Sequence, residues 1–359
     1  MAEPDPHDPI HDPIMDELEE AVEAMMSDAD APLPRLDTRL TALLRIAADL
    51  RDLPSEEFRG RLRAQLLSAR PSFGKPLVTS EDIATRLKEI AEAPKMVAYD
   101  PRAALDGLPE MTMRFLASLN RCTIGVSRFS GQSSWERHPA GDELLHFLDG
   151  EADVVTLTAT GPVRSPVRAG SIFVCPRGLW HQVVPRSPVS MLFATPGEGM
   201  EHSADPRREG RDRVPEADAF GSGGGAGPAA LVAHDLDAAT RGLVPLSITA
   251  ATTAEEADAA VRTITSLDGS VVGVMRFSGL TPWERHPDGD ELLHPLDGDV
   301  DVTVLADDGP ARVNVRAGSI FVCPRGLWHR QLPRRAVTEL FATPAETTEV
   351  SWADDPRVS

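Results

Sequence analysis

The chain has 359 residues, 41% apolar and only 5% aromatic, with a net charge of −20. That length suits two or three cores, and the acidic balance argues against a nucleic-acid backbone as partner. Three cysteines (Cys122, Cys175 and Cys323) do not suggest a disulfide framework, no apolar run reaches membrane-spanning length, and the opening MAEPDPHDP lacks the basic and apolar regions of a signal peptide, so a reduced, cytoplasmic protein is expected.

Residues 1–35 hold eleven acids and one base, Arg35, which is half of the excess charge in a tenth of the chain. Within them Ile14, Leu18, Val22 and Met25 recur at helical intervals on an acidic background. A docking helix and a solvated tail both fit this pattern, and 1–35 is taken as a flexible acidic tail. Beyond it, Leu36, Leu40, Leu43, Leu44 and Ala47 share one helical face. Leu53-Pro54-Ser55-Glu56-Glu57 then reads as a break and a capped restart, and SEDIATRLKEIAEA as a third helix opened by Ser80. Residues 36–95 are expected to form a small helical domain.

After residue 95 the chain repeats itself. VRAGSIFVCPRGLWH (Val167 to His181) returns unchanged from Val315 to His329, an offset of 148. WERHPAGDELLHFLDG (Trp135 to Gly150) returns as WERHPDGDELLHPLDG (Trp283 to Gly298) at the same offset. GVSRFSG and GVMRFSG precede these motifs, and FATP follows both copies. VAYD at 97–100 and VAHD at 232–235 are only 135 apart, so the second copy carries about thirteen more residues, around ITAATTAEEADAAVR. Apolar runs such as DVVTLTA and SIFVC are punctuated by Gly150, Gly170, Gly178 and Pro176-Arg177, a spacing of short strands and turns that predicts an all-β barrel or sandwich. The expected units are a barrel at 96–200, a flexible Gly/Pro/charged linker at 201–230, a barrel at 231–350 and a tail at 351–359. The repeat suggests an intramolecular pseudo-twofold pair of barrels, and a homo-oligomer stays open.

Strand periodicity places Glu136 and His138 on one face, with Trp135 and Arg137 opposite. The turn PAGD lets the chain double back to Glu143, and CPRGLWH ends at His181 on another strand. Two imidazoles and two carboxylates can thus converge inside one barrel; the second copy offers Glu284, His286, Glu291 and His329. Two carboxylates balance a divalent charge and two imidazoles add borderline-soft nitrogen, a set suited to a hard or borderline ion. His138, His181 and Glu143 alone make a 2-His-1-carboxylate set, and Glu136 is either a fourth ligand or a base taking a proton from bound water. Cys175 and Cys323 read as barrel core. His146 and His294 fall on the opposite face from the glutamates by alternation, which favours packing or interface roles, although Pro295 is a candidate for a bulge that shifts that parity. Trp135, Trp180, Trp283 and Trp328 are expected on the outer face of the ligand strands, at the interface between the barrels. Arg177 and Arg325, in the turn before the last His, are either solvated or available to an anionic substrate. His7, His11, His202 and His234 receive no role.

These residues resemble the cupins. The second cupin motif, G-x5-P-x-G-x2-H, is met at Gly170, Pro176, Gly178 and His181, and again at Gly318, Pro324, Gly326 and His329. The first, H-x-H-x4-E-x6-G, is met at His138, Glu143 and Gly150, and at His286, Glu291 and Gly298. The resemblance covers roughly 96–200 and 231–350. It implies two tandem double-stranded β-helix (jelly-roll) barrels, mainly β, preceded by the small helical domain. It also implies one divalent metal ion per barrel, of the Fe, Mn, Ni or Zn kind, with Glu136, His138, Glu143, His181, Glu284, His286, Glu291 and His329 as the ligand set. The chain departs from the family pattern where Glu136 and Glu284 replace the first His, and where Pro185 and Pro333 replace an Asn.

Two function classes follow. One is a dioxygenase-like oxidoreductase acting on a small organic substrate inside the barrel, with Glu136 and Glu284 as catalytic bases. The other is a non-enzymatic metal- or ligand-responsive sensor whose helical N-terminus binds a protein partner, a layout similar to some anti-sigma factors. Neither involves nucleic acid or a membrane.

Overall fold

The computed structural model describes residues 96–210 and 231–358. The acidic tail 1–35, the helical domain 36–95 and residues 211–230 of the expected linker lie outside the described residues, as do His7 and His11.

The first copy folds into β1 (Thr112–Leu119), β2 (Cys122–Phe129), β3 (Trp135–Arg137), β4 (Glu143–Asp149), β5 (Glu151–Thr158), β6 (Gly161–Arg168), β7 (Ser171–Cys175), β8 (His181–Pro185), β9 (Val189–Pro196) and β10 (Glu201–Ser203). With β11 (His234–Asp235) they make a six-stranded sheet, β1-β2-β9-β4-β7-β11, and a five-stranded sheet, β10-β3-β8-β5-β6. Side chains of both sheets, among them Phe147, Val154, Phe173, Val183 and Phe193, meet in one core, as the two layers of a jelly roll must. Strand alternation decides which face each residue takes. Along β9 Met191, Phe193 and Thr195 point into the barrel, while Leu192 and Ala194 point out of it. Both faces are buried, which is why this strand reads as a continuous apolar run.

The second copy repeats the plan. Its strands are β12 (Leu246–Ile248), β13 (Arg262–Leu267), β14 (Ser270–Gly279), β15 (Trp283–Arg285), β16 (Glu291–Asp297), β17 (Val300–Ala306), β18 (Gly309–Val315), β19 (Phe321–Cys323), β20 (His329–Pro333), β21 (Val337–Pro344) and β22 (Glu349–Ser351). One sheet runs β12-β14-β21-β16-β19, with β13 pairing β14, and the other β18-β17-β20-β15-β22. The extra residues of this copy supply β12, parallel to β14, and a helix, Ala254–Ala260, closed at its start by a Thr253/Glu256 capping box.

The larger sheets of the two barrels pack against each other through one shared core, in which Ile124, Leu144, Leu192 and Ala194 meet Val272, Leu292, Leu340 and Ala342. Mirrored loop contacts reinforce it. Asn120 N donates to Asp290 Oδ2 at 2.6 Å and Asp290 N to Asn120 Oδ1 at 2.6 Å. The equivalent pair across the pseudo-twofold is Asp268 N to Asp142 Oδ2 at 3.2 Å and Asp142 N to Asp268 Oδ1 at 2.9 Å. Asn120 and Asp268 close tight turns at φ 53° and 44°, the left-handed region that Asn and Asp tolerate best among residues with a Cβ.

The barrel boundaries differ from those expected. The segment leading into each copy pairs with the other barrel. Tyr99 exchanges backbone hydrogen bonds with Ile320 at 2.9 and 2.8 Å, and Met96 and Ala98 pack on the second barrel's core. Reciprocally, β11 pairs with β7 of the first barrel, and Leu231 and Ala233 pack in that barrel's core. The chain then returns to its own barrel through short helices, Pro101–Ala104 and Leu236–Thr240, capped by Asp100 and Asp235. The linker expected from 201 also begins as a strand, since β10 pairs with β3; likewise β22, at the expected end of the second barrel, pairs with β15. No helix among the described residues is long and apolar enough to cross a membrane.

Candidate metal centre

Strand register brings the motif residues together. Glu136 on β3 lies directly opposite His181 on β8, and Glu284 opposite His329. Cross-strand partners present their side chains on the same face, here the barrel interior. His138 follows two residues after Glu136 and keeps that face. Glu143 opens β4 opposite Cys175 and reaches the same point from the other sheet.

In the first barrel the Nε2 atoms of His181 and His138 lie 2.9 and 3.4 Å from Glu143 Oε2, and Glu136 Oε1 lies 3.7 Å from His181 Nε2. In the second, the distances from Glu291 Oε2 are 2.8 Å to His329 Nε2 and 3.4 Å to His286 Nε2. The donor atoms of His138, Glu143 and His181 all lie within 4.8 Å of one another, as do those of Glu284, His286 and His329, and those of Glu291, Cys323 and His329. The imidazoles face each other at centroid distances of 5.3 and 5.4 Å. His138, Glu143, His181, His286, Glu291 and His329 are all buried, while Glu136 and Glu284 are half-buried.

The electrostatics match a cation site. Burial opposes ionisation of Glu143 and Glu291, but the flanking imidazoles outweigh it and hold both carboxyls well below the usual carboxylate range. Burial likewise opposes protonation of His181 and His329, and contacts with Cys175 or Cys323 and with the glutamate outweigh it, holding both imidazoles high. The attraction that retains a proton between these groups is the one that retains a metal ion in its place. Burial, then repulsion from Glu143, raises Glu136; burial and Glu291 raise Glu284 in the same way.

Residues around the cluster fix its orientation. The Nδ1 atoms of His181 and His329 lie 3.3 Å from the carbonyls of Leu179 and Leu327. A carbonyl only accepts, so Nδ1 carries a hydrogen, and Nε2 is the ring atom that faces the cluster. Thr195 donates to Glu143 Oε1, and Thr343 to Glu291 Oε1 at 2.5 Å. These threonines belong to the FATP repeat, whose recurrence beside both sites was the available signal. Arg177 and Arg325 do not face the interior: their backbone N–H groups donate to Asp142 and Asp290 at 2.8 Å, and their side chains to the Pro139 and Pro287 carbonyls, tying the turn before the last His to the loop before the glutamate. In the β4–β5 and β16–β17 turns sit Gly150 and Gly298, at φ 84° and 85°, where a Cβ would overlap the backbone of Pro188 or Ala336.

Cys175 and Cys323 lie in the cores beside the last His, with their thiols pushed up to about 11 by burial and thus uncharged. His146 and His294 point away from the sites and stack edge-on at the inter-barrel contact, with centroids 5.3 Å apart. The irregularity after Pro295 falls beyond His294 and has a counterpart after Phe147, so it leaves the parity intact. The tryptophans do take the outer face, but not the inter-barrel interface. Trp135 packs with Trp180, and Trp283 with Trp328, on the smaller sheets, with Arg137, Arg285 and Arg330 over the rings of Trp180, Trp328 and Trp283. The larger sheets meet instead because their outer faces are aliphatic. His202 lies on β10 opposite Glu136, with Nδ1 3.4 Å from Ser134 Oγ, and His234 lies on β11.

No protein-family model and no curated protein matches the sequence. Among solved structures, the chain is similar to a tryptophan-to-phenylalanine variant of oxalate decarboxylase from Bacillus subtilis at 14% identity and TM-score 0.43, covering 66% of this chain and 74% of that one. A second structure of that decarboxylase, described through its Mn(II) centres, aligns at 12% identity and TM-score 0.43 over 71% and 79%. A Cupin 2 conserved barrel domain protein from Leptotrichia buccalis aligns at 12% identity and TM-score 0.43, over 69% of this chain and 99% of that one. These are likenesses of fold.

Proposed function

We propose that the chain is a bicupin, two cupin-like barrels in one chain, that each barrel holds one divalent metal ion, and that the protein is a dioxygenase-type oxidoreductase acting on a small organic molecule. The observation that carries this reading is the donor set itself. In the first barrel His138 Nε2, His181 Nε2 and Glu143 Oε2 are buried, converge, and have no aligned hydrogen-bond partner; His286 Nε2 repeats this in the second. Buried polar atoms left in that state cost roughly 1–3 kcal/mol each, a penalty that coordination removes.

The ligands are His138, Glu143 and His181, and His286, Glu291 and His329; Fe, Mn, Ni and Zn all suit such a set. A bound ion supplies positive charge next to open positions where substrate oxygens can gather. Thr195 and Thr343 hold the glutamates in place. Glu136 and Glu284 stand beside the imidazoles, and their raised affinity for protons suits them to accept one from a substrate hydroxyl or enol.

Metal analysis of the purified chain is expected to give about two ions per molecule, and His181→Ala with His329→Ala to remove both. Oxygen uptake with catechols, flavonols and β-diketones tests the chemistry. Absence of metal refutes the site. Metal without turnover, together with capture of a protein through residues 36–95, favours the sensor.

A further inference from the structure

The two barrels share their ligand residues but not what surrounds them. In the first, the space above the ligands is about 40 Å³, enough for a water or two. Met113, Phe115, Met191 and Met200 fill it. In the second, the corresponding positions are Val261, Thr263, Glu339 and Thr348, and the cavity is about 720 Å³, within the range of small-molecule sites.

One of these exchanges and a fifth beside them introduce larger polar groups at depth. Glu339 stands where the first copy has Met191, and Gln331 where it has Val183. Both line the cavity, and Glu339 is only 3% exposed. Gln331 Nε2 donates to Glu339 Oε1 at 3.1 Å, which turns the amide oxygen away. Glu339 Oε2 and Gln331 Oε1 are then left buried without hydrogen-bond partners. Buried polar atoms are tolerated only when something pairs with them. Two unpartnered oxygens on hydrogen-bonded neighbouring side chains suit a ligand that brings N–H donors.

Charge points the same way. The cavity is lined by Asp258, Glu284, Glu291 and Glu339 and by no Lys or Arg among the described residues. An anionic substrate thus finds no cationic side chain in this lining, whereas a cation finds several carboxyls. Apolar wall is present as well, from Phe277, Phe341 and Trp352.

We infer that the second barrel alone is the substrate-binding half, and that it takes a small amine-bearing organic molecule whose ammonium group is held by Glu339 and Gln331. This rests on the metal-site reading for its chemistry, but the amine contacts do not require the ion. Burial, and then the nearby Glu291 and Glu284, push the Glu339 carboxyl up to about 8, and an ammonium beside it relieves that cost. The first barrel, closed by methionine and phenylalanine, keeps its ion without admitting substrate, which leaves the base role of the proposed reaction to Glu284 alone.

Calorimetric titration of the metal-replete full chain with benzylamine, benzyl alcohol and benzoate tests this. Benzylamine is expected to bind at one per chain and benzoate not at all. The near-isosteric Glu339→Gln is expected to weaken benzylamine about tenfold or more, the scale of a buried charge-assisted hydrogen bond, and Glu339→Met to abolish it. Metal content is measured on each sample. No benzylamine binding by a chain that holds two ions overturns the inference while leaving the metal reading intact, whereas a chain that takes up no metal when it is supplied, yet binds benzylamine, overturns the metal reading alone. Benzoate binding as tight as benzylamine, two amines per chain, or Glu339→Gln binding like the wild type also overturns it.

Discussion

Acidification is expected to loosen the contact between the barrels through His146. This ring is 6% exposed, its partner His294 is 2% exposed, and their centroids are 5.3 Å apart. Burial, then His294 and Arg102, push the His146 imidazole down from 6.5 to about 3. Burial also lowers His294, against a hydrogen bond to the Ser319 carbonyl at 2.8 Å. Both rings are therefore neutral in the folded chain at pH 7. As pH falls below 6.5 the unfolded chain takes up protons that the folded chain refuses, so stability is complete above that pH and declines on the way to 3. The slope is about 1.4 kcal/mol per pH unit per histidine. At pH 5 His146 alone thus costs roughly 2 kcal/mol. Urea unfolding of metal-stripped wild type and His146→Phe at pH 7 and pH 5 measures it. Ligand protonation is common to both, so the wild type should lose about 2 kcal/mol more than the variant over that interval. Equal losses would refute the reasoning.

Thr343→Val removes the donor that orients Glu291, and metal affinity of the second barrel should fall about tenfold to a hundredfold with the first barrel unchanged, as read by competition with a chelator. Asp290→Ala removes the acceptor for the N–H groups of Asn120 and Arg325; a loss of about 1–3 kcal/mol is expected as a lower urea midpoint, and Asp142→Ala should match it across the pseudo-twofold. Fragments 1–210 and 211–359 should each be insoluble when expressed alone and should co-purify when expressed together; stable, monomeric fragments would contradict the exchanged arms.

The ligand cluster was legible because it depends on local parity. Spacing of two within WERH puts Glu136 and His138 on one face, and spacing of three puts His146 on the other face from Glu143, without knowledge of which strands pair. The exchange of VAYD and VAHD was not legible, because pairing between segments far apart in the chain, Tyr99 with Ile320 and His234 with Ile172, leaves no periodic trace, and four similar letters state kinship rather than partner. Alternation puts the tryptophans on the outer face of the ligand strands, where they lie, but not at the inter-barrel interface that was expected, since alternation says in or out but not which neighbour lies outside. Glu339 had a signal that went unused. A carboxylate at 339 in ELFATP replaces a methionine in MLFATP, and a charge that interrupts an otherwise apolar repeat marks a place where the two copies do different work.

The crossed arms bear on how such a chain arises. Cut at the connection, the first half would lose the edge strand β11, the second would lose the Tyr99 bridge at Ile320, and each would carry a short apolar arm with nowhere of its own to dock. A one-copy ancestor built this way satisfies both by trading arms with its twin, a homodimer by swapping. Joining the two copies end to end turns that trade into an internal one and makes the partner permanent. Once the twin can no longer leave, its interior is free to drift: one half can fill with methionine while the other opens, and the assembly survives.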